Sequence, residues 1–263
     1  MARLRSVRVP RRRERVSIAV SYFQAIRRIL YYTRGLVKDR LLPKLPEWAA
    51  DFKRDTAEDE ADRMIEQIAE DVFRQFPNER IRDMANLHGQ RATEAQRDDW
   101  HRQVRSVVGI DILTPEPDLR LRMRTFAAEN AALIRSLPER TLNEIESLVM
   151  RALQAGTRHE DIAQTIEERF DVAEERAALI ARDQLQKLVA EVDRERQEAA
   201  GVSKFVWRAA NDERVRDSHA AVDGQTFLWE DPPTIDGEVA IPGSPINCRC
   251  TAEPILDGLI DAL

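Results

Sequence analysis

The residues best equipped for chemistry sit near the end of the chain. Its only two cysteines, Cys248 and Cys250, lie one residue apart in the run Asn247-Cys248-Arg249-Cys250, and His219, one of four histidines, lies upstream in Asp212-Glu213-Arg214-Val215-Arg216-Asp217-Ser218-His219. Cysteines at i and i+2 point to one face of an extended backbone. Two thiolates on one face, with an imidazole and a carboxylate, make a tetrahedral zinc set, so Asp212, His219, Cys248 and Cys250 form the candidate metal ligands and Zn2+ the candidate cofactor. On a helix, Asp212 and His219 share a face, and Asp217 shares it less well. The spacing differs from the C-x-x-C of common zinc modules.

Two other readings use the same residues. The cysteines can act as small buried side chains that hold the last strand, with His219 hydrogen-bonded to a loop carbonyl. A Cys–His nucleophilic pair is the third, but it needs an orienting acid and an oxyanion site, and nothing in the sequence marks the latter. Arg214 and Arg216 are about 160° apart in helical phase and cannot form one basic face. Asp212 also suits a helix N-cap.

The elements that must position these residues are mixed. Lys204-Phe205-Val206-Trp207 and Gln225-Thr226-Phe227-Leu228 have strand composition, and a short helix is expected from Asp212 through His219. Gly224 after Asp223 reads as a positive-φ turn, and Pro242-Gly243 as a type II turn. Upstream, helix dominates. Val16, Val20, Phe23, Ile26 and Leu30 give the first amphipathic face, with Pro43 and Pro46 marking its end. A second helix spans 47–76, with Met64, Ile65, Ile68, Val72 and Phe76 inward. Pro77 and Asn78 open a third, polar helix toward Val108, on which His88 and His101 are expected to be solvated.

Further along, Leu119 to Ser136 reads as one helix, and Pro138 starts another that Gly156 stops. Thr157 to Glu160 resembles a capping box, with His159 on the surface. A separate long helix covers 173–200, with Ala177, Ile180, Ala181, Leu185, Leu188 and Val192 inward and Gly201 as its stop. No apolar run approaches the roughly 18 residues of a membrane span.

Charge is distributed unevenly. Residues 1–44 hold 13 basic and two acidic residues, a net of +11, whereas the remainder carries a net of -17. Such asymmetry points to an arm with an acidic partner, nucleic acid being the obvious one. Arg3, Arg5, Arg8, Arg11, Arg12, Arg13 and Arg15 are its candidate DNA contacts. Residues 16–108 have amphipathic stripes but few large apolar residues for a core of their own, and are expected to dock on a partner.

The ordered set Trp207, Asp212, Arg214-Val215-Arg216, His219, Asp223-Gly224, Pro242-Gly243 and Asn247-Cys248-Arg249-Cys250 resembles the phage Mu protein F-like family of minor head (head morphogenesis) proteins. Glu129 to Ile134, Ala155-Gly156 and Ile180-Ala181-Arg182-Asp183 fit as well, so the resemblance covers roughly residues 120 to 255. It implies a minor capsid protein of a tailed phage or prophage, acting in head assembly with the portal and the major capsid or scaffold protein. It also implies residence in the virion, at the head interior or portal vertex, after assembly in the host cytoplasm, and no catalysis. From another class, a metal-dependent nuclease or toxin-like effector would use His219, Asn247, Cys248 and Cys250. The expected fold is mainly α, with long amphipathic helices followed by a small α+β module. The expected divisions are a basic arm and amphipathic helix (1–45), a helical region (46–172) and the C-terminal module (173–263).

Overall fold

The structure is a computed structural model that describes residues 16–50, 56–109, 114–210 and 212–256. The arginines of the basic arm, from Arg3 to Arg15, lie outside these residues. The fold is mainly α with a small strand-bearing end. Its helices are α1 (Val16–Leu36), α2 (Leu45–Ala50), α3 (Thr56–Gln75), α4 (Asn78–Val108), α5 (Arg120–Gln154), α6 (His159–Ala199) and the short α7 (Asp217–Ala221). The strands are β1 (Lys204–Arg208), β2 (Thr226–Leu228), β3 (Thr234–Ile235), β4 (Glu238–Val239) and β5 (Thr251–Pro254). No helix among the described residues is long and apolar enough to cross a membrane.

The chain divides into two compact units that interleave in sequence. Among the described residues, one is drawn from 20–86 and 127–181, the other from 16–19, 87–126 and 182–256. In the first, Tyr22, Ile26, Ile65, Ile68, Ile134, Ile145 and Ile162 are buried. The face that α1 buries is Tyr22, Ile26, Ile29, Leu30 and Thr33, while Val16 and Val20 are exposed. The expected stripe is therefore rotated, because Tyr22 reaches Asn130 on α5, donating its hydroxyl to Oδ1 at 3.0 Å. Arg27 pairs with Glu174 on α6 at 2.6 Å. Pro43 does not end the helical path. The hydrogen-bond register loosens to a π-turn over Val37–Leu41 and tightens to 3-10 over Leu42–Lys44, where a proline in the first turn lacks only a donor that has no partner anyway.

Two pairs of expected helices fuse. Pro138 lies inside α5, where it removes one N–H from the ladder, and the buried row Ile134, Leu137, Leu142, Ile145 and Val149 carries the helix across it. The helix expected after Thr157 runs without a break into the long one, giving the 41 residues of α6. Both expected glycine stops are present. Gly156 and Gly201 have φ of 65° and 80°. Each closes its helix with paired bonds to earlier carbonyls, Thr157 N–H to Ala152 and Val202 N–H to Gln197.

In the second unit α4 buries polar residues. His88, Thr93, Gln96, Asp99 and Gln103 are all buried, so the expectation of a solvated His88 is overturned. Farther along the helix, Thr93 and Gln96 lie in a polar seam with α6. Gln96 donates to Asp193 at 2.6 Å, and the buried Arg196 donates to the Thr93 carbonyl at 2.9 Å and to Gln96 and Glu116. A helix with few large apolar residues is thus held by satisfied hydrogen bonds. Farther along, Trp100 and Val104 pack with Ala200, Val202 and Leu256.

The C-terminal end of this unit is a three-stranded antiparallel sheet in the order β2-β1-β5. Phe205, Trp207 and Ala252 turn inward and join Trp229, Ile241, Cys248 and Cys250 in one core cluster that includes Ala190 of α6. The β3–β4 hairpin turns through Asp236-Gly237, both at positive φ (54° and 86°), which is the turn chemistry that suits a two-residue hairpin.

Candidate functional site

The loop between β4 and β5 is shaped by contacts to α6. Gly243 has φ of 97°, and a Cβ placed there would lie 2.9 Å from Gln186 Nε2 and 3.0 Å from the Ala190 Cβ. Only glycine meets both the conformation and the close approach. Asn247 also has positive φ, 57°, and its backbone N–H donates to the buried Asp183 carboxylate at 2.7 Å. Asp183 is further paired with Lys187 at 2.8 Å. The Cys248 N–H returns to the Pro245 carbonyl at 3.0 Å. These turns aim both cysteine side chains inward just before β5 begins.

His219 arrives from the opposite side, on α7. That helix starts at Asp217 rather than at Asp212. Asp212 Oδ1 instead accepts the Arg214 N–H at 3.0 Å, closing a turn, and its carboxylate takes the Arg249 guanidinium at 2.6 and 2.5 Å. Asp212 and His219 therefore do not share a helix face. The second candidate role of Asp212, as an N-cap, becomes a turn-closing one. Arg216 donates to the Ile246 carbonyl at 2.8 Å, tying the approach to α7 to the cysteine loop.

The result is a compact trio. His219 Nδ1 lies 3.5 Å from Cys248 Sγ and 3.4 Å from Cys250 Sγ, and the three donor atoms lie within 4.8 Å of one another. The residues are 3 %, 5 % and 2 % exposed, respectively. Trp207 packs edge-on against the imidazole with ring centres 5.6 Å apart. Asp212 is not brought into this group.

The two sulfurs are inequivalent. The neighbouring Cys250 thiol pulls the Cys248 thiol down, helped by the backbone N–H groups of Cys250 and Gly243 and opposed by burial. The Cys250 N–H is 3.4 Å from Cys248 Sγ. Cys250 is pushed upward, first by the Cys248 thiol and then by burial, against the Ala210 backbone, which favours its thiolate. Amide N–H groups near sulfur stabilise negative charge on it. A buried pair of this kind readily holds one thiolate, and a cation among the three donors would favour two.

A cavity of about 290 Å³ borders Cys248 and Asn247, with Arg182, Arg214 and Arg249 in its wall. His101 is partly exposed, and His159 lies on the surface beside Glu160. The residue that reading by motif missed is Asp183. Its one sequence signal is that it falls within the Ile180-Ala181-Arg182-Asp183 run, two positions off the apolar stripe of α6.

Comparison with known proteins adds a family. Residues 143–253 match the family described as Phage Mu protein F like protein, so the resemblance drawn from the C-terminal motifs holds over that stretch. A protein of Haemophilus influenzae described as uncharacterized is 37% identical over 157 residues, covering 59% of this chain and 34% of that relative. The chain thus spans about a third of the relative's length. No solved structure matches.

Proposed function

We propose that this chain is a minor head protein of a tailed phage or prophage, working in capsid assembly. The observation that carries the reading is the family match over residues 143–253, which takes in the last turns of α5, all of α6 and the strand module that follows as far as β5. Head morphogenesis is the role that family suggests. In this reading the portal, the major capsid protein or a scaffold is the direct partner, and packaged DNA meets the basic arm.

A non-catalytic role fits the local chemistry. A Cys–His nucleophile needs its imidazole oriented by a third group. His219 Nε2 is buried and has no hydrogen-bond partner among the described residues. The two carboxylates anchored beside the cysteine loop, Asp212 and Asp183, are taken up by Arg249 and by Lys187 with the Asn247 N–H.

Docking is tested by co-expressing the tagged full chain with the portal, scaffold and major capsid proteins of the same phage. Retention of one of them through affinity purification and sizing is the expected result. Elution of the chain alone, with all three expressed and soluble, contradicts the docking role.

A further inference from the structure

We propose that His219 Nδ1, Cys248 Sγ and Cys250 Sγ form a zinc site that ties α7 to the start of β5. The inference stands on the trio's geometry and does not depend on the assembly reading.

Three observations converge. First, the donors come from two separated parts of the chain, yet both sulfurs sit at nearly equal distance, 3.5 and 3.4 Å, from one imidazole nitrogen. Zinc–sulfur bonds of about 2.3 Å and a zinc–nitrogen bond of about 2.0 Å span donor separations of about 3.5 Å in a tetrahedron. The trio therefore accepts the ion with little movement. Second, the Cys250 backbone N–H points at Cys248 Sγ at 3.4 Å. Outer N–H groups of this kind orient and tune thiolate ligands. Third, Trp207 packs edge-on against the imidazole with ring centres 5.6 Å apart, and the ring so held turns Nδ1 toward both sulfurs.

Soft thiolates with one imidazole select Zn2+ over Mg2+ or Ca2+, which take oxygen ligands. Three protein donors leave one tetrahedral position. Asp212 does not fill it, because Arg249 holds its carboxylate away from the trio. The fourth ligand is then a water or other small oxygen donor, and the cavity bordering Cys248 supplies the approach. The ion's effect is to lock α7, the cysteine loop and β1, through Trp207, into one unit.

The test uses the full chain purified under reducing conditions without chelator. Metal analysis is expected to give about one zinc per chain. Cobalt exchanged for zinc is expected to show thiolate-to-metal charge-transfer absorption, and X-ray absorption at zinc should show two sulfur and two lighter ligands. Cys248→Ser and His219→Ala should each weaken zinc binding at least tenfold. Since those variants can also unfold the module, Asp212→Ala serves as the control. It alters an exposed residue outside the trio and should keep wild-type stoichiometry. Wild-type protein that takes up no zinc and gives no cobalt–thiolate absorption overturns the proposal. So does full zinc binding by folded Cys248→Ser and His219→Ala, since that places the site elsewhere.

Discussion

The Asp183 carboxylate accepts the Asn247 N–H at 2.7 Å from a buried place on α6, and Asn247 holds the positive φ that turns the chain into Cys248. This bond and the close approach of Gly243 hold the cysteine loop against α6, beside the ties from Arg216 and Arg249. Asp183→Ala leaves the amide without its partner and should cost about 2 kcal/mol in urea unfolding. Asp183→Asn keeps an acceptor oxygen and should cost less than half as much. Gly243→Ala combines a strained φ with contacts at 2.9 and 3.0 Å and should cost about 2–3 kcal/mol. Unfolding midpoints equal to wild type in both Asp183→Ala and Gly243→Ala would show that the loop is not held this way. At this scale the sequence is a partial guide. Residue type singled out His219, Cys248 and Cys250 because few other residues share their chemistry. Asp212 had the right type and spacing, but the helix expected to carry it begins five residues later, so the Arg249 pairing decides its role. Asp183 sits off the apolar periodicity, and its importance arises only from a partner 64 positions away.

Among the elements, helix ends were legible and helix continuity was not. Gly156 and Gly201 stop their helices because a positive φ is a local backbone property, readable from one residue. Pro138 failed as a boundary, because a missing hydrogen bond is outweighed when the apolar row continues on both sides. The polar helix α4 was the hardest case. Hydrophobic periodicity cannot register a face buried through Gln96, Asp193 and Arg196. That seam makes a prediction. Arg196→Ala leaves the Thr93 carbonyl and Gln96 without their buried donor and should destabilise the chain by about 3 kcal/mol. Arg196→Lys should recover only part of it, because a point charge cannot reproduce the guanidinium fork. Denaturant midpoints for the two variants check this, and an Arg196→Ala midpoint within error of wild type would refute it. The same packing changes how truncations should be designed. Removing residues 16–108 takes Trp100 and Val104 away from Ala200, Val202 and Leu256, so such a form is not expected to keep its C-terminal unit intact.

For the whole molecule, charge and the family match over residues 143–253 bear on where it acts. The net +11 of residues 1–44 includes α1, whose Tyr22, Ile26 and Leu30 are buried. A deletion that removes none of the described residues is therefore 1–15. That segment still holds seven arginines and one glutamate. The full chain should bind duplex DNA without sequence preference, with affinity falling steeply as salt rises because phosphate contacts release counterions. Deletion of residues 1–15 should weaken binding at least tenfold at low salt and flatten the salt dependence. Equal binding by the truncated chain would assign the arm another task.

If this protein works in head assembly, as proposed, it belongs in purified particles. Procapsids and mature heads made by the parent phage should be separated from soluble protein by gradient, washed in high salt, and quantified by mass spectrometry against the major capsid protein. The account predicts the chain in procapsids, at far fewer copies than the major capsid protein and resistant to the wash. Its absence from both procapsids and heads, with all of it in the soluble fraction, would contradict the account.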